Sequence, residues 1–454
     1  MIGETGKRKS GKWKLNRGAA AVITAALLIS GQLMTGCGSD QTAGKTGTEA
    51  VSGRSVDDVG NSKEKSEKSN SGEENTAGEK EKTKERAGGK AEKEAWLSSG
   101  TKGAPELSGL KPVGSMKLEY AECFHVWYYE NGYKVLDIPE AGQYLVVPEG
   151  SDVPAGELPE DMRIIRQPLK NIYLAATSAM ALVDAIGGLD SITLSSLDVD
   201  GWYIDGPKQA LEEGKMEYAG KYSEPDYEML IAKNCDLAVE STMILHAPDV
   251  QEMIEDLGIP VLIDRSSYEK EALGRTEWIK LYAALLNREE EAQRFFDEQA
   301  ELVGGSDRFE KTGKTVAYFS ISTDGMVVIR RPEDYIPGMI ERAGGTYLFA
   351  DMKNPAGESA TVDISMEEFY SKAVDADYLV YNGTIVGGLK NLDELIGKNE
   401  LFREFKAVRE GNVWQVDKSM YQSTDKVSRL ILDMNIMLTG GDTSKLTFLS
   451  KVES

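Results

Sequence analysis

From Thr276 to Val303 the residues Trp278, Leu281, Tyr282, Leu285, Ala292, Phe295, Phe296, Ala300 and Val303 recur three and four positions apart. That spacing lines one stripe of an α-helix, and Gly304-Gly305 ends it. It predicts one helix over 276–305, about 40 Å long at ~1.5 Å per residue, longer than a single lobe needs. On its N-terminal side, 171–175 reads as a strand, 179–186 as a helix opened by Thr177-Ser178, 227–233 as a helix, 236–240 as a strand, 249–257 as a helix and 259–263 as a strand. On its C-terminal side, 315–320, 378–381 and 412–416 read as strands, and 335–343, 366–373 and 426–438 as helices. Alternation of this kind implies parallel sheet with helices on its faces. The expected fold is α/β: two Rossmann-like lobes with mostly parallel sheets, at 170–275 and 306–454, joined by one long bridging helix, with an N-terminal β-hairpin ahead of them. A cleft is expected where the strand ends of the two lobes face each other.

Before residue 170 the composition changes twice. Lys7, Arg8, Lys9, Lys12, Lys14 and Arg17 precede an apolar run over 19–29 and then Gly31-Gln-Leu-Met-Thr-Gly-Cys37. A basic region, a short apolar core and small residues at the cut form a secretory signal over 1–36; the run is too short to span a bilayer. Leu33-Met-Thr-Gly-Cys37 resembles the lipobox of bacterial lipoproteins, with Met34 where Leu is usual. The chain is therefore expected to be cut before Cys37 and anchored by a lipid on it at the extracytoplasmic face of the cell membrane. From 37 to 114 Gly, Ser, Lys, Glu and Thr predominate, a composition that cannot bury enough apolar surface to order itself, so a disordered tether is expected. Over 115–169, the β-rich stretches 118–129 and 133–138 flank Asn131-Gly132, whose residues accept the positive φ of a tight turn. A hairpin packed on the first lobe follows, with 143–147 as a further strand.

The formal net charge is −23, which argues against nucleic acid as a partner. Two histidines, His125 and His246, are too few for a histidine-rich metal site. After Cys37 only Cys123 and Cys235 remain; no disulfide framework is implied, and whether the two pair is left open. Neither a Gly-x-Ser-x-Gly elbow, a Cys-His arrangement with a base, a phosphate-cradling loop nor a metal cluster is present, so the reading is a non-enzyme without a cofactor.

Loops after the first lobe's strands bring Thr177, Ser178, Met180, Trp202, Tyr203, Glu240, Ser241, Met243 and His246 toward the cleft; the second lobe offers Ser320, Arg330, Arg331, Tyr381, Asn382 and Tyr421. Guanidinium forks grip carboxylates or catecholates, and Trp and Tyr supply area with a polar tip. The set suits a large, flat, anionic organic ligand. Met180 and Met243 read as core filling ahead of ligand contacts, and His246 as a hydrogen-bonded loop residue ahead of an axial ligand of a bound chelate. Arg275 and Glu277, just before the bridging helix, read as a local pair.

Gly220-Lys-Tyr-Ser-Glu-Pro-Asp-Tyr-Glu-Met-Leu-Ile-Ala-Lys-Asn-Cys-Asp-Leu-Ala-Val239, then Leu257-Gly-Ile-Pro-Val-Leu262, Gly344-Gly345, Ile364-Ser-Met-Glu-Glu-Phe369 and Asp377-Tyr-Leu-Val380 resemble the solute-binding proteins of ABC importers for iron-siderophores, heme and cobalamin. The resemblance covers about 171 to the end; Cys235 stands where that family usually has Pro, and the hairpin is outside it. It implies capture of a metal chelate, siderophore first and heme or cobalamin next, by a monomer that delivers it to a permease and its ATPase. It also implies that one glutamate per lobe docks on the permease: Glu228, and Glu367 with Glu368 as its rival. A surface sensor or interaction lipoprotein on the same fold is the alternative.

Overall fold

The computed structural model describes residues 95–454 apart from 160, 306–307 and 354–359. The signal peptide, Cys37 and the tether up to residue 94 lie outside the described residues. From residue 95 onward the tether expectation is corrected. A six-stranded sheet begins there, in the order β1 (Leu97–Ser98), β2 (Pro112–Met116), β3 (His125–Tyr129), β4 (Lys134–Ile138), β5 (Gly142–Val147) and β6 (Arg163–Arg166). All neighbours are antiparallel except the parallel pair β5 and β6. Asn131 and Gly132 turn β3 into β4 at φ 62° and 81°, the conformation their identities favour.

The first lobe runs β7 (Ile172–Leu174), α1 (Thr177–Ala185), β8 (Ile192–Ser195), α2 (Asp205–Glu212), β9 (Glu217–Tyr218), a small ribbon of β10 (Gly220–Lys221) and β11 (Glu224–Pro225), α3 (Tyr227–Ala232), β12 (Leu237–Ser241), α4 (Pro248–Asp256) and β13 (Val261–Asp264). Its sheet, β13-β12-β7-β8-β9, is parallel throughout. Every residue of β7 and β13 is buried, as strands covered on both faces require.

The bridging element is three helices, which corrects the single rod: α5 (Ala272–Glu277), α6 (Ile279–Leu286) and α7 (Glu289–Val303). The chain breaks at Asn287, which takes the left-handed conformation at φ 56°, ψ 47°. The last carbonyls of α6 have no partner inside the helix, and β4 together with the residue after β6 supplies them. Lys134 Nζ donates to the carbonyl of Ala284 and to Asn287 Oδ1 (both 2.7 Å) and to Glu289 Oε1 (2.6 Å), while Gln167 Nε2 donates to the carbonyl of Leu285 (2.7 Å).

The expected strand over 118–124 is also absent, for a related reason: its backbone donors go to carboxylates of the hinge. Glu277, fully buried, accepts from the N–H groups of Glu119 (3.0 Å), Tyr120 and Ala121 (both 2.8 Å) and from Lys280 Nζ (2.8 Å). Glu269 accepts from the N–H groups of Glu122 (2.8 Å) and Cys123 (2.9 Å) and from Trp278 Nε1 (2.9 Å). The expected Arg275–Glu277 pair is thereby corrected. Arg275 stacks on the Tyr335 ring at 4.2 Å instead.

The second lobe contains β14 (Thr315–Ile321), β15 (Val327–Arg330), α8 (Tyr335–Arg342), β16 (Thr346–Tyr347), β17 (Thr361–Ile364), α9 (Met366–Ala373), β18 (Tyr378–Asn382), α10 (Gly383–Val386), α11 (Leu392–Lys398), α12 (Lys406–Arg409), β19 (Val413–Val416), α13 (Val427–Thr439) and β20 (Leu449–Lys451). The path β17-β15-β14-β18-β19-β20 is mixed: β14, β16, β17, β18 and β19 run one way, and β15 and β20 run the other. One apolar core, from Met116 to Val452, joins the N-terminal sheet, the hinge helices and both lobes. Cys123 and Cys235 are free, and burial pushes their thiols up to about 12 and about 11. Among the described residues no helix is long and apolar enough to cross a membrane, and no cluster of His, Cys, Asp and Glu could hold a metal ion.

Candidate ligand-binding site

In parallel sheets the loops after the strand C-termini form the binding edge. Here the loop after β8 meets the loop after β19 across the two lobes. Gly201 ends a short 3-10 turn, Trp202 and Tyr203 follow it, and the Trp202 indole is buried, its Nε1 donating to Ser195 Oγ (3.1 Å). From the other lobe Gln422 Oε1 accepts from the Tyr203 N–H (2.6 Å), and its Nε2 donates to the Gly201 carbonyl and to the Tyr421 hydroxyl (both 2.9 Å). The Tyr203 and Tyr421 rings lie edge to face, 6.2 Å apart, and remain 40% and 36% exposed. Lys418 Nζ sits 5.4 Å from the Tyr203 ring centre and 3.3 Å from its hydroxyl. The hinge joins the same seam where Thr276 Oγ1 donates to the Thr424 carbonyl (2.8 Å). Two rings with an ammonium beside them offer stacking area and positive charge on one surface.

The other sequence-predicted residues fall into three groups. Thr177 and Ser178 are half-buried in the first turn of α1, Ser241 is half-buried at the end of β12, and Met243 and His246 are exposed on the 3-10 turn that follows. Met180, Trp202 and Tyr381 are core instead: Met180 is fully buried and Tyr381 packs edge-on against Phe319 at 5.6 Å. Asn382 caps α10, its Oδ1 accepting from the Thr384 N–H (3.3 Å) and hydroxyl (2.6 Å). Ser320 is buried in β14. Arg330 pairs with Asp334 at 3.5 Å, and the Tyr347 hydroxyl donates to its carbonyl (2.7 Å). Burial pushes the Asp334 carboxyl up, and Arg330 opposes that. Arg331 is buried. Neither arginine lies on the exposed Tyr203–Tyr421 surface. Glu240 is fully buried at the end of β12, and neither carboxylate oxygen has a hydrogen-bond partner among the described residues. Desolvation raises its carboxyl to about 9. Glu228 and Glu367 are exposed in the first turns of α3 and α9, one on each lobe.

Sequence reasoning missed Gln422 and Lys418. The available signal was topological: both follow β19, a parallel strand whose C-terminal loop must lie at the binding edge.

Residues 196–420, from the end of β8 to the Tyr421 loop, match the family model described as periplasmic binding protein. This domain belongs to the periplasmic binding protein family. An uncharacterized lipoprotein of Methanocaldococcus jannaschii is 26% identical over 71% of this chain and 81% of its own length. Among solved structures, the chain is similar to a periplasmic solute-binding protein of Staphylococcus epidermidis (TM-score 0.47, 17% identity, 59% of this chain and 98% of that one). It is also similar to a petrobactin-binding protein of Bacillus subtilis (TM-score 0.49, 14% identity, 60% and 93%). The role that goes with the family is solute binding rather than catalysis.

Proposed function

We propose that the protein captures a large metal chelate outside the cell, a ferric siderophore before heme or cobalamin, and hands it to an ABC permease and its ATPase. The observation that carries this reading is the lobe seam, where two exposed tyrosine rings and one lysine ammonium form a single surface. Thr177, Ser178, Ser241, Met243 and His246 border it from the first lobe in this reading. A lipid on Cys37 keeps the receptor at the membrane, and Glu228 and Glu367 engage the permease, where charge pairing fixes the register of the partners.

The test is titration of the purified protein with hemin, cyanocobalamin and the ferric complex of 2,3-dihydroxybenzoate, followed by absorption and by tyrosine and tryptophan fluorescence. The expected result is saturable quenching by the ferric catecholate, weakened in Tyr203→Ala. Absence of binding to all three probes sinks the chelate reading.

A further inference from the structure

We infer that Gln422 is a positioning residue that sets the ligand surface and ties the two lobes together through one side-chain amide. A primary amide has an acceptor end and a donor end, and here both are used on the same short segment of the opposite lobe. Its oxygen takes the N–H of Tyr203 and its nitrogen gives to the carbonyl of Gly201, so the side chain pairs with that segment as a neighbouring strand would. The opposite orientation of the amide would set N–H against N–H and oxygen against oxygen, so the pairing fixes which way it points.

The remaining amide contact reaches the hydroxyl of Tyr421. Both exposed rings are therefore governed by one group, Tyr203 through its backbone and Tyr421 through its hydroxyl. From below, the same segment is pinned by Trp202, buried with its indole on Ser195. Gln422 itself is fully buried, so nothing in solvent replaces its bonds once they are lost, and leaving buried polar groups unmatched is costly. A shift of about 1 Å in a binding group is enough to degrade a preorganised surface. Removing the amide frees Tyr203 and Tyr421 from each other and lets the lobes vary in separation.

For its affinity arm the inference rests on the capture role proposed above; its distance arm does not. The full chain, carrying Cys37→Ser, Cys123→Ser and Cys235→Ser, receives spin labels through Gln209→Cys and Arg403→Cys, both exposed and one on each lobe. Electron–electron resonance should give one narrow distance distribution with Gln422 and a broadened or displaced one in Gln422→Leu, with far-ultraviolet dichroism unchanged. Gln422→Glu keeps the acceptor for Tyr203 and loses the donor; it serves if the leucine variant does not fold, and it should broaden the distribution less. In the same proteins the affinity for the ferric 2,3-dihydroxybenzoate complex should fall roughly tenfold or more in Gln422→Leu and less in Gln422→Glu. An unchanged distance distribution in the folded variants overturns the inference, as does unchanged affinity for a probe that binds the parent. If no probe binds the parent, the capture role falls, and the distance arm alone decides Gln422.

Discussion

Two glutamates lie equally deep in this protein and live in opposite surroundings. Glu277, in the hinge, accepts from three backbone N–H groups and from the Lys280 ammonium. Glu240, at the end of β12, has no partner on either oxygen among the described residues, and desolvation alone raises its carboxyl to about 9. The first is a charge the fold needs, because four donors from two parts of the chain converge on it. The second is a carboxyl the fold holds as the neutral acid, since burying an unpaired charge is far costlier than keeping a proton.

The largest effect expected from this contrast is at the hinge. Glu277→Leu strands the donors of 119–121 and leaves Lys280 as an uncompensated buried charge, which costs about 3–5 kcal/mol. Urea denaturation should show that loss, and limited proteolysis should cut within 117–124; equal stability to the parent would remove the claim that this carboxylate staples the N-terminal sheet. Glu240→Gln should act in the opposite direction and depend on pH. In the folded chain the proton stays on up to about 9, whereas the unfolded carboxyl releases it near the ordinary 4.5. The unfolded state therefore gains as pH rises between those values, and stability falls through that window. Replacement by Gln should flatten the slope, which in the parent approaches about 1.4 kcal/mol per pH unit, and make the variant the more stable of the two at pH 8. A variant whose thermal midpoint tracks the parent from pH 5 to pH 9 would show that Glu240 does not titrate this way.

Exposed carboxylates complete the comparison with the smallest effect on the fold. Glu228→Arg with Glu367→Arg should change stability by less than about 0.5 kcal/mol and leave probe affinity intact, yet abolish chelate uptake by cells. Uptake at the parental rate would exclude both from docking. Cys37→Ser should leave the folded domain untouched while removing incorporation of a palmitate analogue; persistent labelling would place the lipid elsewhere.

How much of this was legible depended on whether the partners were near in sequence. The strands and helices expected in both lobes follow from local alternation, which did not mark β8, α2, β15, β17 or β20, and the Asn131-Gly132 turn follows from two residues alone. The break at Asn287 did not, because the groups that satisfy the end of α6 come from Lys134 and Gln167, more than a hundred residues earlier. Segment 118–124 has the composition of a strand, but its donors are claimed by Glu269 and Glu277. In the site, Tyr203 was readable as an aromatic on a cleft loop. Trp202 and Met180 have the same loop and helix addresses yet point inward, a choice made by packing. Gln422 carries no motif: an amide becomes informative only when the two atoms it pairs with are known.

The dependence of α6 on Lys134 and Gln167, and of 119–123 on Glu277 and Glu269, also bears on the order in which the protein can form. Synthesis delivers the N-terminal sheet first, but the acceptors that complete it arrive about 150 residues later, after the whole first lobe. Contacts of such long sequence separation form late, so the sheet must stay unfinished while its successors are made. A nascent chain stopped ahead of Glu269 should hold this segment protease-sensitive, and one extended past Glu289 should protect it.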